Sequence, residues 1–290
     1  MIKRIWLFAP LPSTSGTALW LQRMEWLQVT DVAVFVNGNT QTRFSVSNSK
    51  QKKLLSIAAQ LHDIQITPHF VSWLRPSRQY MTDCARVMRP LCRDANVRSL
   101  LFDVEEPWTK TAKTEANAQL AVDNYWQFTD WPCDLGVTGI VSLPQSLKPV
   151  IAKCEYVIPQ AYSTRKNSNT VYIGNDGIER TYIRPDRLPK VAHTNWRDFW
   201  QTFWGVPYWR KPMVMGLAAW NLNRPGNISE TQAMQRAIET TESISASPTI
   251  DEVAYWSFAW IIQSKTRAAF VRQAAMKARK GIPQAESVPA

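Results

Sequence analysis

The run Leu100-Leu101-Phe102-Asp103-Val104-Glu105-Glu106-Pro107 puts carboxylates at the end of an apolar segment, two of them spaced by a single residue. In extended chain, side chains alternate, so Asp103 and Glu105 share a face ~7 Å apart while Phe102 and Val104 point the other way. Two carboxylates on an inward face are costly to bury without a purpose. Their repulsion should raise one pKa, leaving a protonated acid beside an ionised partner. That pair is what protonation of a leaving-group oxygen requires. Glu106 should lie on the other face or along the rim, as a substrate-binding candidate below Glu105. A bare Asp-x-Glu also suits ion pairs with surface arginines, so the position at a strand end carries the argument.

Other chemistry is poorly supported. The histidines, His62, His69 and His193, are far apart, and no His-Glu-x-x-His occurs. His69, near the expected third strand end, suits a rim hydrogen-bond partner better than a metal ligand. The cysteines Cys84, Cys92, Cys133 and Cys154 form no Cys-x-x-Cys pair and read as reduced, mostly buried thiols. No Gly-x-Gly-x-x-Gly or phosphate-loop motif follows the first strand. No cofactor and no metal are expected. Tryptophan is abundant, at 14 residues. Its large apolar face and single N–H suit cores and sugar-stacking platforms alike. Trp73, Trp220 and Trp260 fall at expected strand ends.

The elements that must hold these residues alternate along the chain. Strand patterns cover 5–9, 31–36, 64–71, 97–104, 135–143, 156–161, 213–219 and 253–260. Helical spacing covers 18–28, 50–61, 78–91, 115–128, 146–152, 195–203, 229–244 and 265–279. Ser229 and Gln232 stand at capping-box positions. The polar stretch 163–189 is too long for an ordinary connection and reads as an insertion after the sixth strand, on the active-site side. Roughly eight strand–helix units in 290 residues fit one (β/α)8 barrel. A doubly wound open sheet is the runner-up. The barrel is expected over 1–280, with a flexible tail at 281–290. The C-terminal ends of the strands are where such barrels place active sites.

Composition narrows the partners. With 45% hydrophobic and 20% charged residues, a disordered or collagen-like chain is excluded. No apolar run reaches the ~20 residues of a membrane span. The N-terminal run is too short for a signal peptide, so a cytoplasmic, monomeric product is expected, one that acts on a wall after release. The net charge of +11 favours anionic partners. The basic residues are scattered rather than striped and no nucleic-acid motif is present, so a specific nucleic-acid role is the weakest reading.

Asp103-Val104-Glu105-Glu106-Pro107 resembles the end of the Asp-x-Asp-x-Glu strand of family 18 glycoside hydrolases. Tyr156-Val157-Ile158-Pro159-Gln160-Ala161-Tyr162 is similar to that family's sixth strand, and Glu252-Val253-Ala254-Tyr255-Trp256-Ser257-Phe258-Ala259-Trp260 to its eighth. The resemblance covers these three strands and the barrel layout. It implies that Glu105 donates the proton and that the substrate's own acetamido oxygen attacks the anomeric carbon. Asp103 and Tyr162 would hold the acetamido group, Gln160 would share their face, and Trp256 would form the floor. Trp260, Trp220 and Trp73 would extend it. The family's earlier aspartates fall here on Leu101 and Arg98, which shortens the relay. Lysozyme-type family 25 barrels also carry Asp-x-Glu, but with a first-strand aspartate where this chain has Phe8-Ala9-Pro10. The expectation is a hydrolase of a polymer containing N-acetylglucosamine, peptidoglycan as in phage lysins before chitin. The alternative is an inactive carbohydrate-binding or virion structural barrel.

Overall fold

In the computed structural model, residues 1–38, 41–104, 108, 114–125, 130–140, 148–161, 172–173, 179–180, 212–219, 229–243 and 250–280 are described. Eight strands close into a parallel barrel: β1 Arg4–Ala9, β2 Asp31–Phe35, β3 Thr67–Trp73, β4 Ser99–Asp103, β5 Asp134–Ile140, β6 Tyr156–Ala161, β9 Val214–Ala218 and β10 Glu252–Trp256. β10 sits between β1 and β9, which joins the two ends of the chain. The remaining pair, β7 Tyr172–Ile173 and β8 Glu179–Arg180, forms an antiparallel ribbon inside the expected insertion. The expected helix at 195–203 and tail at 281–290 lie outside the described residues.

Alternation fixes what fills the bore. Trp6, Phe8, Ala33, Val71, Leu101, Tyr156, Ile158, Val214 and Ala254 pack together inside the barrel. Their neighbours in sequence, among them Ile5, Leu7, Val32, Phe70, Leu100, Phe102 and Val253, pack outward on the helices. Phe102 and Val104 take the outward side, as the alternation from Asp103 requires. Gly136 leaves room for a ring: a Cβ there would stand 2.6 Å from Tyr156 Cζ and 2.7 Å from Leu101 Cδ2.

The helices follow their periodicity. α1 Thr17–Leu27 buries Trp20, Met24 and Leu27. Ser47 caps α2 Asn48–Asp63 by accepting from the Lys50 N–H, and Ser77 caps α3 Arg78–Asp94 by accepting from that of Tyr80. α4 Thr114–Tyr125 and α5 Lys148–Lys153 follow. Before α6 Glu230–Ser243, the Gln232 N–H donates to Ser229 Oγ and the Ser229 N–H to Gln232 Oε1, the reciprocal capping box its sequence indicates. The eighth strand is shorter than its apolar run. It stops at Trp256, and Phe258–Ile261 forms the short helix α7, burying Phe258 and Ile261 three residues apart. Short apolar runs do not distinguish the two periods, and here the helical one prevails. The last helix, α8 Lys265–Lys280, packs on β1 and α1. Its Arg279 donates to the carbonyls of Gln28, Val29 and Gln65.

The N-terminal end of the bore holds a charged network. Asp31 is fully buried and accepts from Arg4 Nε at 2.9 Å and Nη2 at 2.5 Å, and from Thr30 Oγ1 at 2.6 Å. His69 is not a rim residue. It lies two residues into β3 with its ring stacked on Trp6, centroids 3.9 Å apart. The third strand starts at Thr67, three residues later than its apolar run, which carries His69 into the N-terminal half of the bore. Its Nε2–H donates to Asp31 at 2.9 Å and its Nδ1 accepts from Ser99 at 2.6 Å, while Tyr156 donates to Ser99 at 2.5 Å. Arg98 closes the end, 3.3 Å from Glu252 and 3.6 Å from Asp31.

The shifts agree with this directionality. Burial pulls the Asp31 carboxyl upward, but His69 and Arg4 outweigh it and hold the group below its ordinary 3.8. Burial pushes the His69 imidazole below 6.5 despite Asp31, with Arg98 and Arg4 adding to the effect, so the neutral ring is the folded form. Burial raises Glu252 above 4.5. Below about pH 6.5 the unfolded chain takes a proton at His69 that the folded protein refuses, so stability should fall from pH 7 to 5, by the order of 1 kcal/mol. Asp31 adds its own loss only below pH ~3.8, and Glu252 acts in the opposite sense at and above pH ~4.5. Urea unfolding across pH 5–8 checks this: His69→Gln should flatten the slope, and an equally steep slope in that variant would assign it elsewhere.

Candidate active site

Asp103 is the last residue of β4, which places its carboxylate at the C-terminal mouth, on the inward face. It is 5% exposed. Register sets Trp73 of β3 beside it on one side and Thr138 of β5 on the other. From β6, Gln160 reaches across the bore, and its Nε2 donates to Asp103 Oδ1 at 3.5 Å, the long limit for such a bond. Trp256 ends β10 at the same mouth. Its ring meets Phe8 at 5.4 Å and Phe35 at 5.1 Å between centroids, so an aromatic floor closes this side of the bore. The Trp256–Ser257 peptide bond is cis.

Of the residues singled out from the sequence, Asp103, Gln160, Trp256 and Trp73 gather at this mouth. Trp73 is a buried wall rather than an open platform. Trp260 stands on α7 and is 41% exposed, because the strand on which it was expected ends four residues earlier. Glu105, Glu106, Tyr162 and Trp220 lie outside the described residues. Leu101 and Arg98, at the positions of the resembled family's earlier aspartates, have other uses: Leu101 is bore packing and Arg98 belongs to the N-terminal network.

A Ser–His–Asp line does exist in the fold, at the wrong end. Ser99, His69 and Asp31 are hydrogen-bonded in sequence, but all three are fully buried beneath Trp6, so no substrate carbonyl reaches Ser99. Ser99 and Asp103 are four residues apart on β4, ~13 Å along the strand. A hollow of about 390 Å³ opens near that end beside Lys3, Trp6, Arg98, Asp251 and Glu252. Its cations are committed, Lys3 to Asp251 at 3.0 Å and Arg98 to Glu252 at 3.3 Å. Among the described residues no group of His, Cys, Asp and Glu is arranged to hold a metal ion, and no helix is long and apolar enough to cross a membrane.

No family model and no curated protein matches the chain. Solved structures do match. A chitinase from Bacteroides thetaiotaomicron is 10% identical, with 99% of this chain and 100% of that one covered at a TM-score of 0.55. A chitinase from Rhizomucor miehei is also 10% identical, over 93% and 99% of the two chains, at 0.55. A GH1 β-glucosidase from Exiguobacterium antarcticum B7 gives 10% identity, 97% and 98% coverage, and a TM-score of 0.61. The chain shares the fold of glycosidase barrels. At these identities the likeness is one of fold, and it extends over several glycosidase types.

Sequence reading missed Thr138 and the N-terminal network. Thr138 was visible only as an inward position of β5, two residues after Gly136. The network was visible as polar residues at or near the start of successive strands: Asp31, His69, Ser99. Neither forms a local motif, because their partners are dozens of residues away.

The Gln160–Asp103 approach can be tested by charge. Gln160→Glu sets a second carboxylate beside Asp103, and repulsion should raise the pair's folded pKa values above their unfolded ones. The variant should then gain stability as pH falls from 8 to 5, relative to Gln160→Met, in thermal unfolding. Parallel pH profiles for the two variants would separate Gln160 from Asp103.

Proposed function

We propose that the protein is a glycoside hydrolase acting on a polymer that contains N-acetylglucosamine, with peptidoglycan as the preferred substrate. The observation that carries this reading is the Asp103 carboxylate on the inner face at the C-terminal mouth, met by Gln160 and bordered by the Trp256 floor. A buried carboxylate is retained against its desolvation cost where it has a task. In this reading Glu105, two residues on, is the general acid, and the substrate acetamido oxygen is the internal nucleophile. Asp103 orients that group and supports the developing cation. Tyr162 donates a hydrogen bond to it, Gln160 positions Asp103, and Trp256 stacks beneath the sugar ring. The net charge of +11 supports a wall polymer, since peptidoglycan is anionic.

A second reading, a barrel that binds glycan without cleaving it, is favoured by Leu101 and Arg98. The resembled relay has lost two carboxylates, and both replacements serve packing or the far network. Fragment analysis of purified peptidoglycan and chitin oligomers separates the two. Glu105→Gln keeps the side chain's shape but removes the transferable proton, so hydrolysis should fall ~10²–10⁴-fold with binding retained. Asp103→Asn should also slow turnover, and Glu106→Gln should do much less. Full activity in Glu105→Gln with loss in Glu106→Gln would move the acid by one residue. Intact glycan bound by the unmodified protein would establish the binding barrel.

Attachment to the wall should also depend on salt. If the basic surface supplies it, sedimentation with cell walls should weaken as ionic strength rises past ~0.15 M, where the Debye length is ~8 Å. Retention unchanged at high salt would assign attachment to stacking alone.

A further inference from the structure

We propose that the outer face formed by α1, α7 and α8 docks on an anionic lipid surface. Among the described residues six large apolar side chains are exposed, and they are not scattered. Leu19 and Trp26 stand on α1, Trp260 and Ile262 on α7 and the residue after it, and Met276 on α8. The sixth, Met1, lines a small hollow with Phe270 and Lys277 of α8. These helices are neighbours on the outside of the barrel. Phe258 of α7 meets Trp20 of α1 edge-on, centroids 6.0 Å apart, and α8 packs on both α1 and α7. The Arg272 guanidinium of α8 lies 4.8 Å from the centre of the Trp26 ring, which ties the two long helices together at their surface. α1 already buries Trp20, Met24 and Leu27 against the barrel. Leu19 and Trp26, seven residues apart, add a second apolar stripe on its solvent side. One stripe suffices for a helix of the outer ring, and a second one calls for contact with something else.

Charge identifies the occupant. Residues 17–28 and 257–280 carry seven arginines and lysines and a single carboxylate, Glu25, a net of +6 within the +11 of the chain. Arg267 is held by Glu230, and Arg279 by backbone carbonyls. Arg23, Lys265, Arg272, Lys277 and Lys280 have no carboxylate partner among the described residues. A second copy of this face would be repelled by the same charge. A sugar polymer or a nucleic acid would stack on the tryptophans, but Leu19, Ile262 and Met276 present no ring for stacking. A lipid surface uses both kinds of residue. Its phosphates meet the lysines and arginines, its acyl boundary takes the aliphatic side chains, and indoles favour the level between. Among the described residues no helix is long and apolar enough to cross a bilayer, so the contact is with the headgroup layer. The face lies on the outside of the barrel, away from the Asp103 mouth, and the inference goes beyond the proposed function without resting on it.

The test is co-sedimentation of the full chain with vesicles of phosphatidylcholine alone and of phosphatidylcholine mixed in equal parts with phosphatidylglycerol. The unmodified protein should sediment with the mixed vesicles and not with the neutral ones. Leu19→Gln/Trp26→Gln/Met276→Gln keeps every charge and removes apolar surface, and it should weaken binding roughly 10-fold or more. Lys277→Gln/Lys280→Gln should weaken it by at least about 10-fold, since each cation near such a surface is worth about a factor of 5. Lys52→Gln/Arg78→Gln, on α2 and α3, removes the same charge elsewhere and should bind within about 2-fold of the unmodified protein. Thermal unfolding of each variant confirms that it is folded. Equal binding to both vesicle types, or none to either, would overturn the inference. So would full binding by the apolar variant, or an equal loss in Lys52→Gln/Arg78→Gln, since net charge alone would then act. A dimer in sedimentation velocity that the apolar variant abolishes, with no vesicle binding, would give the face to a second copy. Loss of binding to lipid-free cell walls in the apolar variant, again with no vesicle binding, would give it to a glycan. The vesicles carry no sugar polymer, so each of these failures leaves the proposed hydrolase standing, and an inactive protein that binds vesicles leaves this inference standing.

Discussion

Closing a parallel barrel leaves a bore that side chains must fill, and at the N-terminal end of this one the filling is arranged around a buried carboxylate. Asp31 is reached by Arg4 from β1, by Thr30 from the turn before its own strand, by His69 from β3 and by Arg98 at the start of β4. Glu252 of β10 accepts from Trp6 and Arg98, extending the network to the closing strand. An isolated charge here would cost several kcal/mol; paired this completely, it becomes a constraint that few strand registers satisfy. Shifting one strand by a residue would turn its polar member toward the helices and leave the others unpaired.

The two ends of the bore therefore carry different kinds of polarity. At the N-terminal end the hydrogen bonds run in one direction, from Tyr156 through Ser99 and His69 to Asp31, and every member has a partner. Between the ends lie Phe8, Ala33, Val71, Leu101, Ile158 and Ala254, an apolar septum without ionisable groups. At the C-terminal mouth two buried polar groups have no hydrogen-bond partner in the protein. They are the Trp73 indole N–H and the Thr138 hydroxyl.

The sequence made legible what depends on local periodicity. The alternation of strands and helices, the inward side of Asp103 and the outward side of Phe102 follow from period two and period 3.6. Ser229 and Gln232 announced their capping box because both partners lie within one turn. What was not legible depends on distant pairing. His69 looked like a strand-end residue, since its apolar run began at Ile64; the strand begins at Thr67, set by pairing with Asp31. The run through Trp260 read as continuous strand, and only the packing of Phe258 and Ile261 turns it into a helix. Nor does any pattern in the chain say that Thr138 faces Asp103, because that follows from the register between β4 and β5.

Arg279, near the end of α8, holds the carbonyls of Gln28 and Val29, which precede β2 and lie some 250 residues away in the chain. β1 likewise acquires its second neighbour only when β10 arrives. Contacts of this separation make folding slow, because the intervening chain must be ordered before they contribute. During synthesis the first strands can pair in order while the β1 edge stays open. An open parallel edge is a template for another chain. The seam between β1 and β10, with α8 laid over it, thus sets the interval in which the emerging polypeptide is most exposed to association with its own copies.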